Sequence, residues 1–307
     1  LAILDTSPAG AQPMRSDDGR FVISFNGEIY NFQALRAELQ AEGCTFRTRS
    51  DTEVLLALLQ RHGAAGLPRL RGMYALALWD VEARRGLLAR DGFGIKPLYY
   101  AETADGLVFA SELRALLAAG AVRVQLDPAA IAGFFATGSV PEPATLVRGV
   151  RMLPPGHVLT WTGGNGSLDA FWEVGFPEPV ACSEASAIAL TRSALEDSIA
   201  AHFVSDVPVG LFLSGGIDST ALLALARGTG QADGLATFSI AVDDPAFNEA
   251  DVAAVIANDS MVVCDGYAVR DDGLIGGELD VPPGSECAGD VAIRSTGGEG
   301  DVGCRAI

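Results

Sequence analysis

Positive charge is scarce in this chain. Its 307 residues include 21 Lys or Arg against 39 Asp or Glu, a formal net charge of −18. So acidic a chain repels nucleic acid and anionic membranes, which removes both as expected partners. Lysine is nearly absent: Lys96 is the one lysine, a bias that reflects GC-rich coding rather than a physical need. Long apolar runs are missing too. Charges or glycines break each of them, so no segment reads as a transmembrane span. The first residues carry no signal-peptide pattern. Cys44, Cys182, Cys264, Cys287 and Cys304 are scattered and form no CxxC pair, which argues against zinc. Without a secretory signal, a reducing cytoplasm is the expected compartment. His62, His157 and His202 show no ligand pattern, and Trp79, Trp161 and Trp172 read as core or edge aromatics.

What is present is enough apolar residue, 49%, to bury real cores, and enough length for two domains. The first region mixes strands and helices. Phe21–Phe25 reads as a strand closed by an Asn26-Gly27 turn. Phe32, Leu35 and Leu39 give helical spacing over 31–42. Ser50 or Asp51 can cap a second helix, with Glu53 placed to reach back to the cap. Strand-like pieces follow at 73–79, 86–90, 97–100 and 107–109, then short helices at 113–118 and 128–135. These predict layered α and β structure. The loose text over 175–183 marks a domain boundary.

Beyond it, a helical pattern over 183–203 precedes an apolar strand, a helix from Ser219 to Ala226, a strand over 236–242 and a helix over 248–257. That order predicts a parallel α/β sheet. From 258 to 307 the chain is rich in Gly and Asp and shows no sustained period. It is expected to be a disordered or out-of-frame tail without packed elements.

The junction inside the second region carries the chemistry. The apolar run Val209-Gly210-Leu211-Phe212-Leu213 stops at Ser214-Gly215-Gly216, and a helix starts within the next residues. Glycines let backbone N–H groups approach a phosphate, and a helix N-terminus adds free donors and partial positive charge. Ser214, Ser219 and Thr220 add hydroxyls. Asp218 beside a phosphate implies an intervening cation, Mg²⁺. The lysine-bearing GxxxxGK[ST] loop is absent.

The string Ser214-Gly215-Gly216-Ile217-Asp218-Ser219 resembles the pyrophosphate loop of ATP pyrophosphatases. Upstream, Phe25–Asn31, Ser50–Glu53, Arg90–Tyr100 and Phe109–Glu112 resemble the glutaminase half of glutamine-hydrolysing asparagine synthetases, and so does Leu1–Asp5 through Gln12-Pro13. The resemblance covers residues 1–257, with the motifs in family order. It implies a layered αββα, Ntn-hydrolase-like amidotransferase domain over 1–175, followed by a truncated parallel α/β ATP-pyrophosphatase domain over 183–257.

The resemblance also implies roles. Asn26 (side chain) and Gly27 (backbone) match an oxyanion hole. Glu28 and Asp51 match the carboxylates that hold glutamine's α-ammonium, and Leu1, Ala2, Ile3 and Leu4 match the segment lying along bound glutamine. Leu213 and Ile240 match nucleotide contacts. Ser214, Gly215, Gly216 and Ser219 match the pyrophosphate cradle, with Asp218 holding Mg²⁺. The implied reaction amidates aspartate at the cost of ATP, through a β-aspartyl-AMP, with ammonia from glutamine. Small molecules are the expected partners, with a homodimer as an option. The family's nucleophilic N-terminal Cys is not in this sequence, so the chain as written is expected to be an inactive fragment with an uncovered sheet edge. Two other readings stay open: a relative with another acceptor, such as a β-lactam synthetase or a peptide-cyclising enzyme, and a non-catalytic nucleotide-binding relic.

Overall fold

The computed structural model describes residues 3–176, 178–232, 235–241, 248–259, 263–268 and 305–306. The chain divides into two compact units, Leu1–Glu178 and Pro179–Ile307.

In the first unit, β1 (Met14–Arg15) and β2 (Phe21–Ile29) precede α1 (Phe32–Ala41) and α2 (Asp51–His62). Then come β3 (Gly72–Asp80), β4 (Arg85–Arg90), β5 (Tyr99–Thr103), β6 (Gly106–Ala110), α3 (Leu113–Ala118) and α4 (Pro128–Thr137). β7 (Arg151–Met152), β8 (His157–Thr162) and β9 (Asn165–Ala170) complete it. One antiparallel sheet runs β1-β2-β3-β4-β8-β9; a second runs β6-β5-β7.

Strand alternation sorts the layers. Ala75, Ala77, Leu88 and Leu159 of the first sheet cluster with Leu98, Tyr100 and Leu153. Ala101, next to Tyr100, faces the other way and packs with Leu116 of α3, Val147 and Val150. Ile23 and Phe25 of β2 pair with Leu78 and Leu76 of β3, and α2 lies against β2. The stack is helix, sheet, sheet, helix: the layered αββα arrangement that the sequence implied. α1 buries Phe32, Leu35 and Leu39, the positions its spacing selected.

One expectation is corrected. Asn26-Gly27 is not a turn, because β2 runs through it to Ile29. Gly27 is opposite Tyr74, and a Cβ there would lie 2.1 Å from the Met73 carbonyl oxygen. The glycine serves close strand approach, not reversal.

At the end of β3, Arg20 donates to both carboxylate oxygens of Asp80, at 3.1 and 2.9 Å. The Arg20 hydrogen bond, then the Ala83 N–H, holds the Asp80 carboxyl down at about 2. A depressed carboxylate contributes stability above its unfolded value, and that stability is lost as pH falls through the folded one. Arg20→Gln is therefore expected to move the acid-unfolding limb to higher pH. Circular dichroism between pH 3.8 and about 2 reads the shift.

The second unit opens with α5 (Glu184–His202), followed by β10 (Val209–Phe212), α6 (Ile217–Gly228), β11 (Ala236–Ala241), α7 (Ala250–Asp259), β12 (Val263–Ala268) and β13 (Arg305–Ala306). Among the described residues the strands pair in parallel, in the order β12-β11-β10-β13. Ile199, Leu211, Leu213, Leu223, Leu235 and Ala253 are among the core residues. The expectation of a tail without packed elements from 258 is corrected in part. β12 pairs with β11 over six residues, from Ala236↔Val263 to Ala241↔Ala268. Backbone pairing, not a hydrophobic period, makes this strand, so its Val-Cys-Asp-Gly-Tyr-Ala text gave no signal. Most of the remaining tail lies outside the described residues.

Candidate functional site

The first candidate site forms where α2 meets the end of β2. Ser50 caps α2: its Oγ accepts from the Thr52 N–H at 3.1 Å. Glu53 does not reach back to the cap as expected. Its carboxylate accepts from the N–H groups of Arg47 (2.9 Å) and Thr48 (2.8 Å) and from the Thr48 hydroxyl (2.7 Å), tying down the chain that enters the helix. With Ser50 doing the capping, the Asp51 side chain is available elsewhere. Its Oδ2 accepts from the Ile29 N–H at 3.0 Å.

Asp51 is 5% exposed and Glu28 2%. Both line one tight pocket with Ile3, Leu4, Gln12 and Gly27. Burial pushes the Asp51 carboxyl up, opposed by the Ile29 and Thr52 N–H groups. Two carboxylates buried together suit a small organic cation. Asn26 lies nearby on β2, and its Nδ2 donates to Ser111 Oγ at 3.3 Å. That bond joins the Asn-Gly-Glu string to the Phe-Ala-Ser-Glu string across 85 positions. Leu1 and Ala2 lie outside the described residues.

Two residues of the Leu1–Asp5 and Gln12-Pro13 strings, given no role from sequence, have one here. Gln12 bridges β2 and α2: its Oε1 accepts from the Phe25 N–H at 2.6 Å, and its Nε2 donates to Thr52 Oγ1 at 3.5 Å. Asp5 accepts from Ser7 Oγ at 2.5 Å and from the Arg49 N–H at 2.9 Å. Those bonds hold its carboxyl below the usual range, the Ser7 hydroxyl contributing most. They also fasten the segment carrying Ile3 and Leu4 to the start of α2.

The Arg90–Lys96 string builds a loop rather than a pocket wall. Arg90 is buried and donates to the carbonyls of Gly94, Lys96 and Leu153 and to Glu142. Asp91 accepts from four backbone N–H groups: Tyr74, Phe93, Ile95 and Lys96. Gly94 has φ +64°, and a Cβ there would meet the Arg90 guanidinium at 2.9 Å. Burial, with the Asp91 charge adding, pushes the Tyr74 phenol up.

The second candidate site is the turn from β10 into α6, at the carboxyl end of a parallel strand. α6 begins at Ile217, and its N-cap residue Gly216 makes no side-chain cap hydrogen bond to the N–H groups of the first turn. Gly216 has φ −76°, an ordinary value. Its lack of a side chain matters for openness, not for backbone conformation. Asp218 is exposed in the first turn of α6. Ser214 and Ser219 hydroxyls lie 3.0 Å apart, and Thr220 Oγ1 donates to the Gly216 carbonyl at 2.8 Å. Leu213 points its side chain into the core, so only its backbone faces the turn. Ser239 Oγ donates to the Leu213 carbonyl at 2.7 Å, fixing β10 to β11. Ile240 is exposed near the end of β11. Among the described residues, no group of three or more His, Cys, Asp or Glu could hold a metal. Mg²⁺ needs only one or two carboxylates when phosphates and water complete its shell. One exposed carboxylate, Asp218, in the first turn of α6 is compatible with that donor set.

Comparison with known proteins matches the two units separately. A family model described as a glutamine amidotransferase domain matches residues 1–172, and one described as asparagine synthase matches residues 190–272. Asparagine synthetase [glutamine-hydrolyzing] 1 of Bacillus subtilis is 40% identical over 254 residues, 82% of this chain and 39% of that protein. The chain belongs to the glutamine-hydrolysing asparagine synthetase family. Its Escherichia coli relative, asparagine synthetase B, is 36% identical over 228 residues, 74% of this chain and 36% of its own length. Asparagine synthetase 3 of B. subtilis is 35% identical over 78% of the chain and 40% of its own length. The chain thus spans well under half the length of these curated relatives. The synthetase match runs to 272, past residue 257 where the recognisable motifs end. A solved glutamine phosphoribosylpyrophosphate amidotransferase of B. subtilis, complexed with ADP and GMP, aligns at TM-score 0.41 and 17% identity. It covers 85% of this chain and 65% of that one.

Proposed function

We propose that this chain serves the ATP-dependent amidation of aspartate to asparagine with ammonia drawn from glutamine. The observation that carries the reading is the uncapped start of α6 behind Ser214-Gly215-Gly216, in a chain whose other unit buries two carboxylates in one pocket.

In that pocket, Glu28 and Asp51 hold the α-ammonium of glutamine, and the segment 1–4 lies along it. The Asn26 amide and the Gly27 N–H are placed to receive the oxyanion formed when a nucleophile adds to the side-chain carbonyl, an attacking group that no residue assigned to this pocket supplies. Ser111 orients the Asn26 amide. At the second site, the side-chain carboxylate of aspartate attacks the α-phosphorus of ATP. Pyrophosphate leaves and β-aspartyl-AMP forms; ammonia then displaces AMP. Ser214, Gly215, Gly216 and Ser219 cradle the leaving pyrophosphate. The Leu213 backbone and Ile240 flank the nucleotide. Asp218 holds Mg²⁺, which neutralises phosphate charge.

The test is pyrophosphate release from Mg·ATP. Release on addition of L-aspartate would carry the reading for this chain itself; the truncated synthetase half implied by the sequence would bind ATP without it. Release with a carboxyethyl-arginine type of acceptor instead would point to a relative of other specificity. ATP binding without release would favour a non-catalytic module.

A variant separates binding from stability at the first pocket. Because burial raises the Asp51 carboxyl, its contribution to stability is fullest below the ordinary aspartate value and is lost as pH rises through the raised one. Asp51→Asn keeps an acceptor for Ile29 and removes a buried charge. It is expected to raise the melting temperature at neutral pH while weakening L-glutamine binding about tenfold or more. Thermal melts at acidic and neutral pH, with equilibrium dialysis of glutamine, check both halves.

A further inference from the structure

Three consecutive amides of the β10–α6 turn are already engaged. The Ser214 N–H donates to Ser219 Oγ at 3.2 Å, and the Gly216 N–H donates to Ser214 Oγ at 3.2 Å. The Gly215 N–H donates to Glu249 Oε2 at 3.3 Å. The acceptors differ in kind. A hydroxyl rotates and becomes a donor to an arriving anion. A carboxylate only accepts, so it opposes an arriving phosphate as a like charge.

Local structure brings Glu249 to this place. It directly precedes α7; its carbonyl accepts from the Ala253 N–H at 3.0 Å, and Asn248 Oδ1 accepts from the Ala250 N–H at 3.1 Å. One turn in, Val252 closes on Gly215: a Cβ on that glycine would stand 3.1 Å from Val252 Cγ1. The first turn of α7 therefore rests on the loop and delivers a carboxylate to its central amide.

We propose that Glu249 is a positioning residue that stands at Gly215 where a phosphate oxygen would stand, and so makes anion binding at this loop depend on a divalent cation. The inference rests on the pyrophosphate-seat reading of the same loop. Glu249 satisfies the Gly215 amide while Val252 holds the first turn of α7 against the loop. When pyrophosphate arrives with a divalent cation, the cation offsets the carboxylate's charge and Glu249 gives up the amide. When pyrophosphate arrives without one, Glu249 opposes it.

The test uses inorganic pyrophosphate and the intact chain, titrated calorimetrically in Mg²⁺ and again in EDTA. Wild type is expected to bind several-fold more tightly in Mg²⁺. Glu249→Gln and Glu249→Ala are both expected to tighten binding in EDTA by about fivefold, the scale of one like-charge repulsion near a surface. A merely structural Glu249 would give the opposite sign, weaker binding in both media. Unchanged or weakened EDTA affinity in the variants, with wild type still binding in Mg²⁺, overturns the role of Glu249 and leaves the loop reading standing. No binding by any of the three proteins in either medium overturns the loop reading and this inference with it. Should a variant fail to fold, wild-type affinity equal in Mg²⁺ and EDTA overturns the proposal on its own.

Discussion

Asp91→Ala is expected to remove about 3–5 kcal/mol of stability from the first unit. The Asp91 carboxylate accepts at 3.1 Å from Tyr74, 3.1 Å from Phe93, 3.0 Å from Ile95 and 3.0 Å from Lys96. The residue is buried, so alanine removes the acceptor that these four amides share. A buried unpaired amide costs about 1–3 kcal/mol, and water entering at the loop's outer edge satisfies some of the four. The damage would extend to Arg90, whose guanidinium lies under the same loop and binds the Gly94 and Lys96 carbonyls. Phe93 and Ile95 are 74% and 57% exposed at the loop tip. The loop's order therefore comes chiefly from these polar anchors, with Phe93 resting on the Trp172 ring at 4.9 Å between centroids. Asp91→Asn should fall between, since one oxygen still accepts while the NH₂ group faces donors. Urea unfolding measures both variants, and a loss below about 1 kcal/mol for alanine would contradict this account.

The second large effect concerns the nucleotide. Asp218→Asn is expected to weaken Mg·ATP binding about tenfold or more. Binding of metal-free pyrophosphate should hold or tighten, because a negative charge has left the rim of the anion seat. Stability should stay within about 0.5 kcal/mol of wild type, since the side chain is exposed. Titrations in Mg²⁺ and in EDTA separate the two effects. Equal weakening in both media would mean that Asp218 shapes the loop rather than holding a cation.

The sequence was legible where one force dominates. The 3.6-residue spacing of Phe32, Leu35 and Leu39 placed α1 to within a residue at each end. α3 falls on the 113–118 segment that was read as a helix. Legibility failed where two mechanisms share one residue type. Asn26-Gly27 has the composition of a hairpin turn, yet the glycine is there because the Met73 carbonyl leaves no room for a side chain. Glu53 has capping-box spacing, yet the backbone amides of Arg47 and Thr48 compete for it and win. The β8–β9 hairpin went unread although Gly163-Gly164, both at positive φ, mark its turn. The exposed residues of β9 offered no alternation to support it.

The candidate sites divide in the same way. Ser214–Ser219 was visible as a string because strand, glycines and helix are contiguous. The contributions of Gln12, Asp5 and Glu249 were not, because each acts on backbone or side chains far along the chain. For Leu213 the family position was legible, but that its side chain belongs to the core was not.

The central claim is that the turn from β10 into α6 is a pyrophosphate seat. It is tested most directly by titrating Mg·ATP into the intact chain and then competing with inorganic pyrophosphate. The account predicts saturable ATP binding that pyrophosphate displaces. ATP binding that pyrophosphate leaves untouched, or no binding at all, would contradict it.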